Sequence, residues 1–167
     1  MDLTETQIGS EPIFNGTFVT IACDTVRLPN GNDSKRIVIR HPGAACVLAE
    51  TPDGKIVFVE LLAGKLDAGE DPAACALREL AEETPYAAEK VELAATFYTA
   101  PGFCDEKMYL YRAFNISKSS NLQPDQDEFV ETVLLDRQEV LAAVRNNEIQ
   151  DAKTLIGLQH WLLAEAV

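Results

Sequence analysis

The sequence predicts an α+β fold, a mixed sheet packed between helices as an α/β/α sandwich, with antiparallel strands at its N-terminal end. Three observations carry this. Short β-branched and aromatic runs, bounded by Pro, Gly and Asn, fill most of the first 115 residues; one helical period interrupts them after Pro72; two amphipathic helices follow near the C-terminal end. With 167 residues, 47% hydrophobic and 25% charged, the chain has the size and composition of one globular unit with a proper core.

Residues 13–28, IFNGTFVTIACDTVRL, alternate and are rich in strand formers, then break at Pro29-Asn30-Gly31-Asn32-Asp33 before Arg36 to Arg40 resumes, so residues 1–40 read as an antiparallel hairpin or meander. His41-Pro42-Gly43 is a turn. Ala44 to Glu50 and Lys55 to Glu60 are strands joined at Pro52-Asp53-Gly54. Leu61-Leu62-Ala63 then runs directly into a Gly turn at Gly64 with no turn residues between, so either the chain connects these elements unusually or a segment is absent from the sequence at this point. Beyond the central helix, Val91 to Tyr98, Lys107 to Asn115 and Phe129 to Leu135 read as strands, with a turn at Thr99-Ala100-Pro101-Gly102 and a polar loop over residues 117–126. Arg137 to Asn146 and Asp151 to Ala166 are amphipathic helices, the second presenting Leu155, Leu158, Trp161 and Leu162 on its apolar side.

The net charge of −13 repels nucleic acid and anionic membrane alike, which excludes both as partners. The first residues, MDLTETQIGSEP, carry neither a basic nor an apolar region of a secretory signal, and a cytoplasmic location is expected. Cys23, Cys46, Cys75 and Cys104 lack metal-site or disulfide-framework spacing, and His41 and His160 are too few for a His-based site.

The central helix concentrates the chemistry. Asp71 is its N-cap, Pro72 its first residue, and Thr84-Pro85 its end; Ala73, Leu77, Leu80 and Ala81 face the core. Glu79, Glu82 and Glu83, at i, i+3 and i+4, crowd three carboxylates into the last turn, where the helix dipole already favours cations. That arrangement costs roughly 1 kcal/mol or more, and Arg78, four residues before Glu82, offsets only part of it. Clustered hard oxygens suit Mg²⁺ or Mn²⁺ rather than Zn²⁺.

The spacing Gly64, five residues, Glu70, seven residues, Arg78-Glu79-Leu80-Ala81-Glu82-Glu83 resembles the Nudix box, with Pro85 and Tyr86 where that pattern has Gly and an aliphatic residue. Pro cannot take the left-handed helix end that Gly supplies, so the helix must exit differently. The resemblance implies a Nudix-like α/β/α sandwich in which residues 41–167 form the catalytic domain. It implies divalent ions held by Glu79 and Glu83, with Glu82 and the Ala63 carbonyl assisting, Arg78 orienting the glutamates, and Glu70 supporting the loop. Asp24 to Pro29, His41-Pro42-Gly43-Ala44, Ala63 to Asp67, Phe97 to Phe103 and Asp151 to Thr154 resemble the ADP-ribose pyrophosphatase branch more closely. That likeness implies cleavage of ADP-ribose to AMP and ribose 5-phosphate by a homodimer whose residues 1–40 reach the partner. It implies a base among Asp125, Asp127 and Glu128, with Glu128 in the place of the family's glutamate, and substrate contacts at Arg27, Gly102, Glu106 and Asp127, with Phe14 or Phe18 bordering the adenine. Another nucleoside diphosphate sugar as substrate, or a non-catalytic nucleotide-sensing module, are the alternatives.

Overall fold

The computed structural model describes residues 2–119 and 132–164, apart from the side chains of 59–61. In chain order its elements are β1 (Thr6–Asn15), β2 (Thr20–Arg27), β3 (Asp33–Arg40), β4 (Ala44–Glu50), β5 (Ile56–Lys65), α1 (Pro72–Glu83), β6 (Tyr86–Ala87), β7 (Val91–Tyr98), β8 (Lys107–Ala113), β9 (Ser117–Lys118), β10 (Val133–Leu135), α2 (Arg137–Arg145) and α3 (Ala152–Ala164). They fall into two units, Met1–Gly43 with Tyr98–Lys107, and Ala44–Phe97 with Met108–Val167.

The first unit is a three-stranded antiparallel meander, β1-β2-β3. The alternating run over residues 13–28 therefore contains a hairpin turn rather than one strand, closed by the Gly16 amide donating to the Val19 carbonyl at 2.8 Å. β2 points Ala22, Asp24 and Val26 inward, and the Asp24 carboxylate is satisfied there by Arg40 and by the Ser10 hydroxyl at 2.7 Å. β1 begins earlier than its hydrophobic pattern suggests. Its ten residues are all exposed, so no alternation marks it, and an edge strand accommodates Pro12 and the register shifts after Gln7 and Pro12. The segment 98–107 runs along β3: the Ile39 amide donates to the Phe103 carbonyl at 2.7 Å and the Asp105 amide to the Ile39 carbonyl at 3.1 Å.

The second unit is a five-stranded mixed sheet of order β10-β5-β4-β8-β7, in which β4 runs parallel to β8 and antiparallel to β5. The two-residue period of β4 divides the core. Ala45, Val47 and Ala49 face α1 through Cys75, Ala76 and Leu80, whereas Ala44, Cys46 and Leu48 share the opposite cluster with Val140, Leu158 and Trp161 from α2 and α3. Helices on both faces of a mixed sheet are the α/β/α sandwich the sequence predicts. Among the described residues no helix is long and apolar enough to cross a membrane.

The unusual connection after Glu60 is made inside a strand. β5 runs unbroken from Ile56 to Lys65, and its pairing with β4 passes from Ala49↔Val57 to Val47↔Leu62, so residues 58–61 together oppose Leu48. Gly64 is accordingly a strand residue paired with Ala45, not part of a turn. The late helices begin on carboxylate caps: Asp136 forms a capping box with Glu139, and Asp151 accepts from the Thr154 amide at 2.8 Å and hydroxyl at 2.6 Å. The strand expected over 129–135 is described only as Val133–Leu135, and residues 129–131 lie outside the described residues.

Candidate active site

α1 is positioned by its ends. Asp71 accepts from the Ala73 amide at 2.9 Å and Pro72 opens the first turn. At the other end Thr84, fully buried and extended, donates its hydroxyl to the Leu80 carbonyl at 2.6 Å and accepts from the Tyr86 amide at 3.1 Å. A side chain thus closes the helix where a left-handed glycine is missing. The buried stripe is Cys75, Ala76, Glu79 and Leu80 rather than the Leu77 and Ala81 side, both of which are only half-buried. The sheet therefore takes Glu79 into its contact face.

That placement brings a carboxylate against the end of β5. A Cβ on Gly64 would lie 1.7 Å from Glu79 Oε1 and 2.0 Å from its carboxyl carbon, so only glycine leaves room for it. Gly64, Ala63, Lys65 and Asp67 line one cleft of about 420 Å³ with Arg78, Glu79, Glu82 and Glu83. Sequence residues at positions 63, 78, 79, 82 and 83 thus meet in space.

Arg78 ties the cluster together. Its guanidinium donates twice to Glu70, at 3.0 and 3.2 Å, and one Nη reaches both Glu79, at 2.6 Å, and Glu82, at 2.9 Å. These bonds hold the Glu70 carboxyl down at about 2, with the Asp67 amide adding to the effect, and push the Arg78 guanidinium further into its charged form. Beneath them Cys75, which sequence reasoning missed, lies 3.6 Å from the Gly64 carbonyl and 3.5 Å from Arg78, and burial pushes its thiol up to about 11. A signal was available: Cys75 stands four residues before Glu79 and so shares its face.

The donors fit a hard divalent cation in kind, the carboxylates of Glu79, Glu82 and Glu83 lining one cleft with Ala63 and Gly64. Among the described residues no three acidic, His or Cys side chains converge to ligating distance, since Glu79 and Glu82 are turned onto Arg78. A larger apolar cleft of about 530 Å³ lies by Phe58, Leu135 and Ile149, but Glu139 and Asp151 on its rim are engaged as helix caps.

The remaining candidates belong to the first unit or fall outside the description. Arg27 pairs with Asp33. Gly102 lies in the turn closed by the Phe103 and Cys104 amides on the Ala100 carbonyl. Glu106 accepts from the Thr99 hydroxyl at 2.5 Å, and Phe14 and Phe18 are exposed. Asp125, Asp127 and Glu128 lie outside the described residues.

Comparison with known proteins places this arrangement among relatives. The NUDIX domain family matches residues 32–156. The chain is 44% identical to the methanol dehydrogenase activator of Bacillus methanolicus, over 98% of this chain and 95% of that protein. It is 41% identical to the ADP-ribose pyrophosphatase of Bacillus subtilis (strain 168), over 99% and 96% respectively. The two alignments span 176 and 178 positions, more than the 167 residues here, so both relatives carry residues that have no counterpart in this chain. A solved structure described as an ADP compounds hydrolase superposes with a TM-score of 0.79 over 99% of this chain and 98% of that one, at 19% identity, a likeness of fold.

Proposed function

Because the chain belongs to the NUDIX domain family, we propose that it is a metal-dependent pyrophosphohydrolase that cleaves the diphosphate of ADP-ribose to AMP and ribose 5-phosphate. The observation that carries this reading is the meeting of the β5 end, Ala63-Gly64, with Glu79, Glu82 and Glu83 in one cleft.

Glu79 and Glu83, with Glu82 and the Ala63 carbonyl, would hold Mg²⁺, or Mn²⁺ in its place. When bound, such ions neutralise the diphosphate and make water a better nucleophile toward phosphorus. Arg78, bonded twice to Glu70, would orient the cluster from that anchor while Glu79 and Glu82 served an ion. Glu128, or its neighbours Asp125 and Asp127, takes the proton from the attacking water. Arg27, Gly102, Glu106 and Asp127 contact the nucleoside and the distal ribose. The protein works as a cytoplasmic homodimer on a small nucleoside diphosphate sugar.

The test is a panel of ADP-ribose and other nucleoside diphosphate compounds, assayed for monophosphate release with Mg²⁺ and with EDTA. ADP-ribose turnover that EDTA abolishes is expected. Preference for another sugar corrects the substrate alone, and no turnover of any member overturns the enzyme reading. A second reading rests on the 44% identity to a methanol dehydrogenase activator: the chain stimulates an alcohol dehydrogenase. Adding the protein to a methanol dehydrogenase and finding no stimulation of methanol oxidation eliminates it.

A further inference from the structure

We propose that His41 is a proton-operated latch at the His41-Pro42-Gly43 turn. When neutral, its Nδ1 accepts the Gly43 amide; when protonated, it releases that amide and donates to Glu106. The geometry requires the choice. The Gly43 N–H points at Nδ1 from 3.1 Å, so that nitrogen carries a lone pair and no proton. Glu106 Oε1 stands 3.6 Å from the same atom, while Glu106 Oε2 is held by the Thr99 hydroxyl at 2.5 Å. Two acceptors face each other, and one proton converts them into an ion pair. That proton occupies the lone pair on which the Gly43 amide depends, so both bonds cannot exist together.

The surroundings favour a switch over a passive contact. The His41 side chain is 11% exposed and that of Glu106 24%, which limits screening by water. The Phe18 ring meets the imidazole edge-on at 5.8 Å between centroids. From the segment 98–107, Asp105 holds the His41 amide at 2.8 Å as well as the Arg40 guanidinium; from β3, Arg40 brings a positive charge; from β2, Asp24 pairs with Arg40. Arg40 is thus engaged by two carboxylates, and Glu106 is the acidic group directed at the ring. Gly43 adopts a φ of 93°, open to glycine and strained for other residues, so the bond from its amide is one of the constraints on a turn that L side chains could not form unaided. When His41 takes up a proton, the turn loses that constraint and the segment bearing Glu106 gains an ionic tie to the end of β3.

The experiment uses the isotopically labelled full-length protein in solution. Histidine ring signals and the Gly43 amide are followed by NMR from pH 8.5 to 5, with a His160→Gln variant separating the two histidines. The ring of His41 and the Gly43 amide should titrate with one midpoint, and amide exchange at Gly43, corrected for intrinsic rate, should quicken about fivefold on protonation as one hydrogen bond is lost. Glu106→Gln keeps an acceptor for Thr99 but removes the charge, and should weaken proton binding by His41 about threefold. A Gly43 amide indifferent to His41, or a midpoint unmoved in Glu106→Gln, overturns the latch.

Discussion

Gly64 is glycine because of a neighbour, not because of its own backbone. Its strand conformation suits any residue, but the Glu79 carboxylate occupies the volume of a Cβ. Gly64→Ala should therefore displace Glu79 by more than an ångström and lower kcat/KM for ADP-ribose by roughly 100-fold, with a circular dichroism spectrum like that of wild type. Turnover close to wild type would mean that Glu79 is not needed where the structure puts it. The crowding of Glu79, Glu82 and Glu83 was legible in the sequence, because side chains at i, i+3 and i+4 share one helix face, and Gly64, Glu70 and Arg78 joined them through the resemblance to the Nudix box. The reason for Gly64 was not legible: the contact joins residues fifteen apart in sequence through the packing of α1 on β5.

At the scale of the element, α1 solves the problem posed by Pro85 through Thr84. The hydroxyl takes the place of a glycine cap by bonding back to Leu80 and forward to Tyr86, and the Pro85 carbonyl then accepts the Ser119 amide at 3.0 Å, next to the β6–β9 pair. Thr84→Ala leaves the buried Tyr86 amide unpaired and should destabilise the fold by about 2 kcal/mol, seen as a melting temperature lower by roughly 4–8 °C, whereas Thr84→Ser should retain most of the stability. A melting temperature within a degree of wild type for Thr84→Ala would show that the hydroxyl is not the cap. The bounds of α1 followed from Asp71, Pro72 and Thr84 because capping is local chemistry. Which stripe it buries, Cys75 and Glu79 in place of Leu77 and Ala81, was decided by the sheet it packs on. The two-residue strands β6 and β9 left no mark in the sequence, since a pair so short has no periodicity to read.

At the scale of the molecule, β1 is an exposed edge strand. Ile8, Ile13 and Phe14 are each about half exposed on a strand that, among the described residues, pairs with β2 alone, and such an edge invites pairing with another chain. Light scattering at micromolar concentration should give about twice the 18.3 kDa chain mass, and an Ile13→Lys, Phe14→Lys double variant should be monomeric; a wild-type monomer would undercut the dimer. The sequence by itself determined the class of fold, the ends of α1, the late helices and the acidic cluster, because periodicity, caps and ligand spacing act over a few residues. Tertiary structure alone decided the rest: that Gly64 is a strand residue making room for Glu79, that residues 58–61 oppose Leu48, that 98–107 lies along β3, and that His41 faces Glu106. Each depends on which distant residues share a surface, and that is settled by the packing of whole elements.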